Sequence, residues 1–290
     1  MTSKTTTVAG MGTWRLGDLE LTRIGYGAMR LAGPNAWGPP NDRDEALAVL
    51  RTVVEAGITH IDTSDYYGPY VVNEIIREAL HPFPADLCIA TKVGARRTHA
   101  RGWPAAVSRS ELVQAVHDNL TRLDVPALDL VNLRMTRTLA AADIVEPFTV
   151  LAELREQGLI RNLGVSNVGI EQVRAARRIA PVVAVQNHYN VASRRDDALV
   201  DWCAEQGIAY VPFYPLGGFR PLQIEALDRI ARDLGMTARQ TALAWLLQRS
   251  PSILLIPGTS SVAHLYENIA AAVELPGPAL RTLNALGARG

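Results

Sequence analysis

Three chemically complementary side chains lie near the ends of two neighbouring strand-like runs. Asp62 ends the first run, Tyr67 follows it by five residues in the next loop, and Lys92 ends the second run. A nearby ammonium lowers the pKa of a phenol from its usual value of about 10, and a carboxylate can hold that ammonium in place. These residue types match a tyrosine that protonates a carbonyl oxygen near neutral pH. Taken singly, each residue also fits an ordinary role, as a helix cap, a loop aromatic or a solvated lysine.

Length and composition restrict the architecture and the partners. The chain has 290 residues, which suits one large α/β barrel or two ordinary domains, and 48% of them are hydrophobic, enough for a sizeable core. The 29 basic and 29 acidic residues balance, so we expect neither nucleic acid nor an anionic membrane as a partner. Cys88 and Cys203 lie in apolar patterns typical of buried thiols, and no CxxC or HExxH spacing indicates a metal site.

Two further features of the sequence bear on the cellular location of the protein and on its number of domains. Residues 1–7 are polar and threonine-rich, unlike a signal peptide, and no stretch approaches the run of about 18 apolar residues that spans a membrane. We therefore expect a soluble cytoplasmic protein. No Pro/Gly/Ser-rich linker or charge run divides the chain, which favours a single domain over residues 1–290.

Strand-like runs alternate with amphipathic helical patterns along the chain. A short β-hairpin is predicted at residues 13–21, and one of the later helices is predicted to begin at a capping serine, Ser110. Eight strand-like runs follow the hairpin: 24–27, 59–62, 87–92, 128–133, 160–165, 182–186, 209–213 and 253–256. Eight such runs separated by helices predict an α/β fold of the (β/α)8 TIM barrel type. The rival doubly wound sheet needs GxGxxG after its first strand, and the third glycine is absent after Gly25-Tyr26-Gly27.

In a (β/α)8 barrel the active residues lie at the carboxyl ends of the strands. Collecting those ends gives a largely polar set of side chains: Asp62, Lys92, Asn132, Arg134, Ser166, Asn167, Gln186, Asn187, Tyr214 and Gly258–Ser261. The set suits an aromatic ring that carries an amide, such as nicotinamide. Ser166, Asn167 and Gln186 can hydrogen-bond a carboxamide, and Tyr214 can stack on the ring. For Ser166 and Asn167, a turn with an N-cap is the alternative.

Several of these segments together resemble the aldo-keto reductase superfamily. In family order they are Asp62-Thr63-Ser64 through Tyr67-Gly68, Thr91–Gly94, Gly164–Asn167, Gln186–Asn190, Tyr214–Gly218 and Ile256–Asn268. The resemblance runs over nearly the whole chain and implies an NAD(P)H-dependent reductase that transfers hydride to an aldehyde or ketone. It also implies that Tyr67 is the acid, that Lys92 tunes it and that Asp62 is the partner of Lys92.

The same resemblance implies a binding site for the cofactor NADPH. The residues carried over to it are Ser166, Asn167, Gln186, Tyr214, Leu216, Gly217, Gly258, Thr259, Ser260, His264, Glu267 and Asn268. Many relatives place Lys and Arg where Gly258 and His264 stand, and a solvated helix residue is the alternative for His264. Neutral hydroxyls and a helix amino end remain as phosphate ligands. We therefore expect NADPH to bind more tightly than NADH by a modest margin, because neutral hydrogen bonds are weaker than charge-assisted ones.

Arg134 is a second position at which this chain differs from most of the superfamily, because it aligns with the usual active-site histidine. Arginine cannot act as a general base, but its guanidinium can polarise a carbonyl or pair with an anion. Strand alternation puts Asn132 on the same face, and we predict a substrate pocket lined by Trp37, Tyr66, Trp103 and Asn132. The alternative is an outward Arg134 in a structural ion pair. The Asn-x-Arg exchange, with Arg30–Pro34 and Trp37–Pro40, resembles bacterial pyridoxal reductases, which implies reduction of pyridoxal to pyridoxine.

Two other functions fit the same residues. One is reduction of another carbonyl compound, such as a xenobiotic or a secondary metabolite. The other is a cofactor-binding regulatory protein on the same barrel, which the potassium-channel β-subunits resemble. The presence of Asp62, Tyr67 and Lys92 together favours catalysis, and steady NADPH consumption with aromatic aldehydes separates the two classes.

Overall fold

The computed structural model describes residues 12–136, 140–219 and 222–286. An antiparallel hairpin opens this part of the chain, formed by β1 (Thr13–Leu16) and β2 (Leu19–Thr22), with Trp14 opposite Leu21. Leu16 and Leu21 are buried against apolar residues of the barrel interior. The predicted hairpin is therefore confirmed, and it packs on the barrel as a cover.

Seven parallel strands follow in one sheet whose spatial order is the chain order. They are β3 (Tyr26–Gly27), β4 (His60–Asp62), β5 (Cys88–Val93), β6 (Leu128–Arg134), β7 (Ile160–Ser166), β8 (Ala184–His188) and β9 (Ala209–Phe213). The predicted eighth strand makes single parallel bridges instead of a ladder, from Ile253 to Tyr210 and from Leu255 to Ile24. Pro257, which has no N–H to donate, follows directly and prevents a longer ladder. The bridges join both edges of the sheet and close the predicted (β/α)8 barrel.

Ten α-helices accompany the strands within the described ranges. They are α1 (Arg43–Glu55), α2 (Val71–Leu80), α3 (Arg109–Leu123), α4 (Val145–Glu156), α5 (Ile170–Arg177), α6 (Asp197–Glu205), α7 (Glu225–Asp233), α8 (Ala238–Arg249), α9 (Val262–Ile269) and α10 (Gly277–Leu286). The predicted helix start at Ser110 is wrong, because Ser108 caps α3 and its N–H donates to Glu111 Oε2 at 3.2 Å. A capping box needs Glu three residues after the cap, and Glu111 has that spacing only from Ser108.

Burial divides the apolar residues into two clusters. The larger cluster includes Phe148 and Trp245, and the smaller one lies inside the barrel and includes Leu130. Cys88 and Cys203 are both free and buried, as predicted. Among the residues that the structure describes, no helix combines the length and the apolar character needed to cross a lipid bilayer. The polar residues of the barrel gather at the carboxyl ends of its strands, where a site can form.

His60, in β4, is a buried titratable residue away from those strand ends. His60 is only 4% exposed, and this burial lowers the pKa of its imidazole from 6.5 to about 4. The unfolded chain takes up a proton below its ordinary pKa, whereas the folded chain accepts it only near the lowered value. The free energy of unfolding therefore falls as the pH falls through the window between the two values.

We expect His60→Gln to flatten this acid-side loss of stability. His60 accounts for a loss of about 3 kcal/mol between neutral pH and pH ~4, because each pKa unit corresponds to about 1.4 kcal/mol. Urea unfolding at several pH values across that window measures the difference. The matched control is His117→Gln, since His117 is exposed on α3. An unchanged pH dependence in His60→Gln would contradict the assignment.

Candidate active site

A cavity of about 580 Å³ opens at the carboxyl ends of the barrel strands. Predicted residues in its wall are Asp62, Tyr66, Tyr67, Lys92, Trp103, Arg134, Asn167, Gln186, Tyr214, Leu216, Gly258, Thr259, Ser260, His264 and Asn268. Arg30, from the Arg30–Pro34 segment, also lines the cavity. Residues that the sequence patterns did not indicate are there as well: Met29, Thr136, Phe213 and Arg239. Predicted residues outside the wall are Trp37, Asn132, Ser166, Gly217 and Glu267. In the described ranges, no group of three His, Cys, Asp or Glu side chains is placed to hold a metal ion.

A buried ion pair lies at the base of the cavity. Lys92 Nζ donates to Asp62 Oδ1 at 2.5 Å and to the carbonyl oxygen of Thr63 at 2.9 Å. Gln186 Nε2 donates to the other carboxylate oxygen, Asp62 Oδ2, at 2.7 Å. Parallel register places these side chains together, because Asp62 ends β4, Lys92 is in β5 and Gln186 lies across the barrel in β8. Both oxygens of Asp62 are hydrogen-bonded, which is the arrangement that a buried charge pair requires.

Tyr67 lies beside this pair and is 8% exposed. Lys92 Nζ is 5.2 Å from the centroid of the Tyr67 ring. Burial is the main cause that raises the pKa of Tyr67 above its usual value, Asp62 raises it further, and Arg134 opposes them. The expected net lowering of the Tyr67 pKa is therefore wrong. The Lys92 charge is offset by Asp62, and the phenol stays protonated at neutral pH, which is the form that a proton donor needs.

Arg134 ends β6 and lines the cavity. Its Nη1 donates to Ser166 Oγ at 3.1 Å, and its Cζ is 4.9 Å from the centroid of the Phe213 ring. The alternative of an outward arginine is therefore wrong. Ser166 is fully buried behind the guanidinium, where its hydroxyl supports Arg134 and does not line the cavity.

Aromatic side chains form the outer part of the wall next to Tyr67. Tyr66 makes edge-to-face contacts at 5.5 Å between ring centroids with Tyr67 on one side and Trp103 on the other. Arg97 lies over Trp103, with Cζ 3.8 Å from the ring centroid, and 5.2 Å from the centroid of Trp37. Trp37 therefore contacts Arg97 and does not line the cavity, where it was predicted to lie. Arg97 was not indicated by the sequence, because cation–π contacts between two loops have no characteristic spacing.

Asn132 has no solvent exposure and is not part of the cavity wall. It is paired in register with Lys92 on one side and with Gly164 on the other. A Cβ at Gly164 would lie 2.1 Å from Asn132 Oδ1, so only glycine leaves room for this amide. Neither amide atom of Asn132 has a hydrogen-bond partner among the described residues. Asn132 is therefore buried beside Lys92 and does not form the predicted pocket lining.

The inner wall matches an aromatic amide such as nicotinamide. Gln186 Oε1 is buried without a hydrogen-bond partner in the described structure, although its Nε2 is bound by Asp62. An acceptor left open in this way suits the N–H₂ of a carboxamide. Asn167 lines the same cavity, with Nδ2 donating to the Met135 carbonyl oxygen at 2.7 Å. Tyr214 lines the same cavity, and Asn190 Nδ2 donates to its carbonyl oxygen at 3.0 Å.

Another part of the cavity wall is formed by Gly258, Thr259 and Ser260, which follow the predicted eighth strand at residues 253–256. A Cβ at Gly258 would lie 2.6 Å from the carbonyl oxygen of Gly27, so the two segments approach as closely as backbones can. Ser261 N–H donates to Thr259 Oγ1 at 3.1 Å. Val262, the first residue of α9, donates its N–H to Glu45 Oε1 at 2.9 Å. One of the predicted phosphate donors at the amino end of α9 is therefore already bound to a carboxylate.

Comparison with known proteins agrees with this arrangement of site and fold. The model of the Aldo/keto reductase family matches residues 23–286. The chain is 57% identical over 263 residues to pyridoxine 4-dehydrogenase of Escherichia coli K12, covering 89% of this chain and 92% of that one. A thermostable aldo-keto reductase solved with the inhibitor epalrestat is 31% identical, with a TM-score of 0.81, and the match covers 96% of this chain and 100% of that one.

A second solved structure bears on the cofactor. An aldo-keto reductase from Klebsiella pneumoniae, in complex with NADPH, is 26% identical with a TM-score of 0.80, and the match covers 96% of this chain and 95% of that one. The open acceptor of Gln186 fits the carboxamide of the same cofactor in this chain. The chain belongs to the aldo/keto reductase family and is an NADPH-dependent carbonyl reductase.

Proposed function

We propose that this enzyme interconverts pyridoxal and pyridoxine with NADP(H). The observation that carries the proposal is the guanidinium of Arg134, which lines the same cavity as Tyr67 and the aromatic side chains of Tyr66, Trp103 and Phe213. The 57% identity to a pyridoxine 4-dehydrogenase over most of the chain supports it. In the reducing direction the aldehyde carbon gains a hydride, its oxygen gains a proton, and NADPH becomes NADP⁺. All participants are soluble small molecules, and we propose the cytoplasm as the compartment.

The proposed roles at the reacting carbonyl follow from the buried network. NADPH, when bound, supplies the hydride. Tyr67 donates the proton to the carbonyl oxygen, because its phenol is protonated at neutral pH and lies in the cavity wall beside the Lys92–Asp62 pair. Lys92 and Asp62 form a charged pair against the Tyr67 ring, and Gln186 holds the second oxygen of Asp62. The pair thereby fixes the position of the acid and balances charge as the proton leaves.

The proposed substrate contacts come from Arg134 and the aromatic wall. Pyridoxal bears a phenolic oxygen, often ionised, next to its aldehyde, and a guanidinium pairs strongly with such an anion. The Ser166 hydroxyl and the Phe213 ring hold the guanidinium at the cavity. Trp103 and Tyr66 provide apolar faces against which the pyridine ring can pack.

We expect Arg134→His to reduce kcat/KM for pyridoxal more than for neutral benzaldehyde. A charge-assisted contact is worth about 1.5–3 kcal/mol, which corresponds to a specificity shift of roughly ten- to a hundredfold. Arg134→Lys is the matched variant, since it keeps the charge and loses the planar fork. It should retain part of the preference for pyridoxal. The melting temperature of each variant reports separately on stability.

Equal losses on the two aldehydes would remove the anion-pairing role, and with it the physical support for pyridoxal. Fast reduction of benzaldehyde but not of pyridoxal by the wild type would favour a reductase for another carbonyl compound. Tight NADPH binding without turnover of either aldehyde would favour the regulatory alternative.

A further inference from the structure

The end of the cavity away from Tyr67 lacks the cations that many relatives carry there. Gly258 and His264 stand at those two positions, and both line the cavity. Thr259 and Ser260 offer neutral hydroxyls at the same end. A carboxylate, Glu45, already binds the first N–H of α9 and adds negative charge near this end. Arg30 lies beside Gly258 in the wall, but its guanidinium already donates to the carbonyl oxygen of Gly218 at 2.7 Å. A phosphate dianion bound at this end therefore needs a further positive charge.

Arg239 brings a positive charge to this end of the cavity from a different helix. It is the second residue of α8, and the structure places it in the cavity wall together with Ser260, His264 and Asn268. Its side chain is 54% exposed, so the guanidinium is open to a ligand. Arginine is the residue that suits a phosphate best, because its planar fork presents several N–H donors to the phosphate oxygens.

The base of Arg239 is fixed by the start of α8, and its guanidinium lies near a carboxylate of α9. Thr237 caps α8 by accepting a hydrogen bond from Gln240 N–H at 3.2 Å, which fixes the turn that carries Arg239. Gln240 Nε2 donates to the carbonyl oxygen of Glu267 in α9 at 3.4 Å. Glu267 Oε2 is 4.0 Å from Arg239 Nη1 and draws the guanidinium toward α9. Glu267, predicted to contact the cofactor, therefore serves to direct Arg239.

We propose that Arg239 binds the 2′-phosphate of NADPH and sets the preference for NADPH over NADH. The 2′-phosphate is the only chemical difference between the two cofactors, so a group that contacts it changes one affinity and spares the other. The inference rests on the NADPH dependence of the enzyme and not on the identity of its carbonyl substrate. With Arg239 in place, the preference is larger than the modest margin expected from neutral hydroxyls alone.

The test is cofactor binding without any carbonyl substrate. Isothermal titration of Arg239→Gln with NADPH, NADH and 2′,5′-ADP compares ligands that carry and lack the phosphate. NADPH and 2′,5′-ADP should each lose roughly ten- to a hundredfold in affinity, the size of a charge-assisted contact, and NADH should change by less than about twofold. Arg232→Gln is the matched control, since Arg232 is exposed on α7 and outside the cavity wall. It should leave all three affinities unchanged.

A rescue variant keeps the proposal testable even if Arg239→Gln alters the local packing. His264→Arg in the Arg239→Gln background returns a guanidinium to the same end of the cavity and should recover part of the NADPH affinity. Unchanged NADPH affinity in Arg239→Gln would overturn the proposal. So would equal losses for NADPH and NADH, or a wild type that binds both cofactors equally. None of these outcomes depends on whether pyridoxal is the substrate.

Discussion

Tyr67→Phe is expected to lower kcat for carbonyl reduction by about 10²–10⁴-fold, which is the usual contribution of a general acid. The substitution removes the hydroxyl and keeps the ring, so the edge-to-face contact with Tyr66 at 5.5 Å and the packing against Lys92 remain. NADPH affinity should therefore stay within about twofold of the wild type, as a conservative deletion leaves ground-state binding intact. Stopped-flow or steady-state NADPH absorbance measures turnover, and fluorescence titration measures binding.

Tyr66→Phe is the matched control for Tyr67→Phe. Tyr66 is the neighbouring phenol, 6% exposed, and its hydroxyl has no hydrogen-bond partner among the described residues. Its loss should change kcat far less than the loss of the Tyr67 hydroxyl. Near-wild-type turnover in Tyr67→Phe, or equal damage from the two variants, would contradict the assignment of Tyr67 as the acid.

Lys92→Met is expected to damage both stability and turnover. It leaves the Asp62 carboxylate buried with Gln186 as its remaining side-chain partner, and breaking a buried ion pair costs about 3–5 kcal/mol of unfolding free energy. The uncompensated charge of Asp62 also raises the pKa of Tyr67 further, since Asp62 already raises it. The limb of the pH–rate profile that reports ionisation of Tyr67 should therefore move to higher pH.

The double variant Asp62→Asn with Lys92→Met separates these two effects. It removes both charges, so it should recover much of the stability that Lys92→Met loses, while turnover stays low because the acid is no longer positioned. Urea unfolding and initial rates at several pH values give the comparison. If Lys92→Met unfolds at the same urea concentration as the wild type, the pair with Asp62 does not carry the role given to it.

The part of the site that lies on strand ends was predictable from the sequence. Asp62, Lys92, Arg134 and Gln186 each close a β-branched or apolar run, and parallel strands bring such ends to one edge of a barrel. The barrel was predictable too, because eight strand-like runs alternate with helical patterns along the chain. The last run became single bridges and not a ladder, because a flanking proline limits pairing without destroying the closure.

Contacts made between helices or between loops were not predictable. Arg239 reaches the cavity because α8 packs against α9, and no spacing in the sequence reports that packing. Trp37 was expected in the pocket, but Arg97 lies between it and Trp103. Whether the pKa of Tyr67 is raised or lowered also depends on burial, which only the folded chain determines.

The most direct test of the central claim is the product of the reaction. Purified enzyme is incubated with NADPH and pyridoxal, NADPH oxidation is followed by absorbance, and the product is identified by mass spectrometry. The account predicts that one pyridoxine forms for each NADPH consumed, that NADP⁺ and pyridoxine support the reverse reaction, and that Tyr67→Phe slows both by about 10²–10⁴-fold. Reduction of benzaldehyde without any formation of pyridoxine from saturating pyridoxal would contradict it.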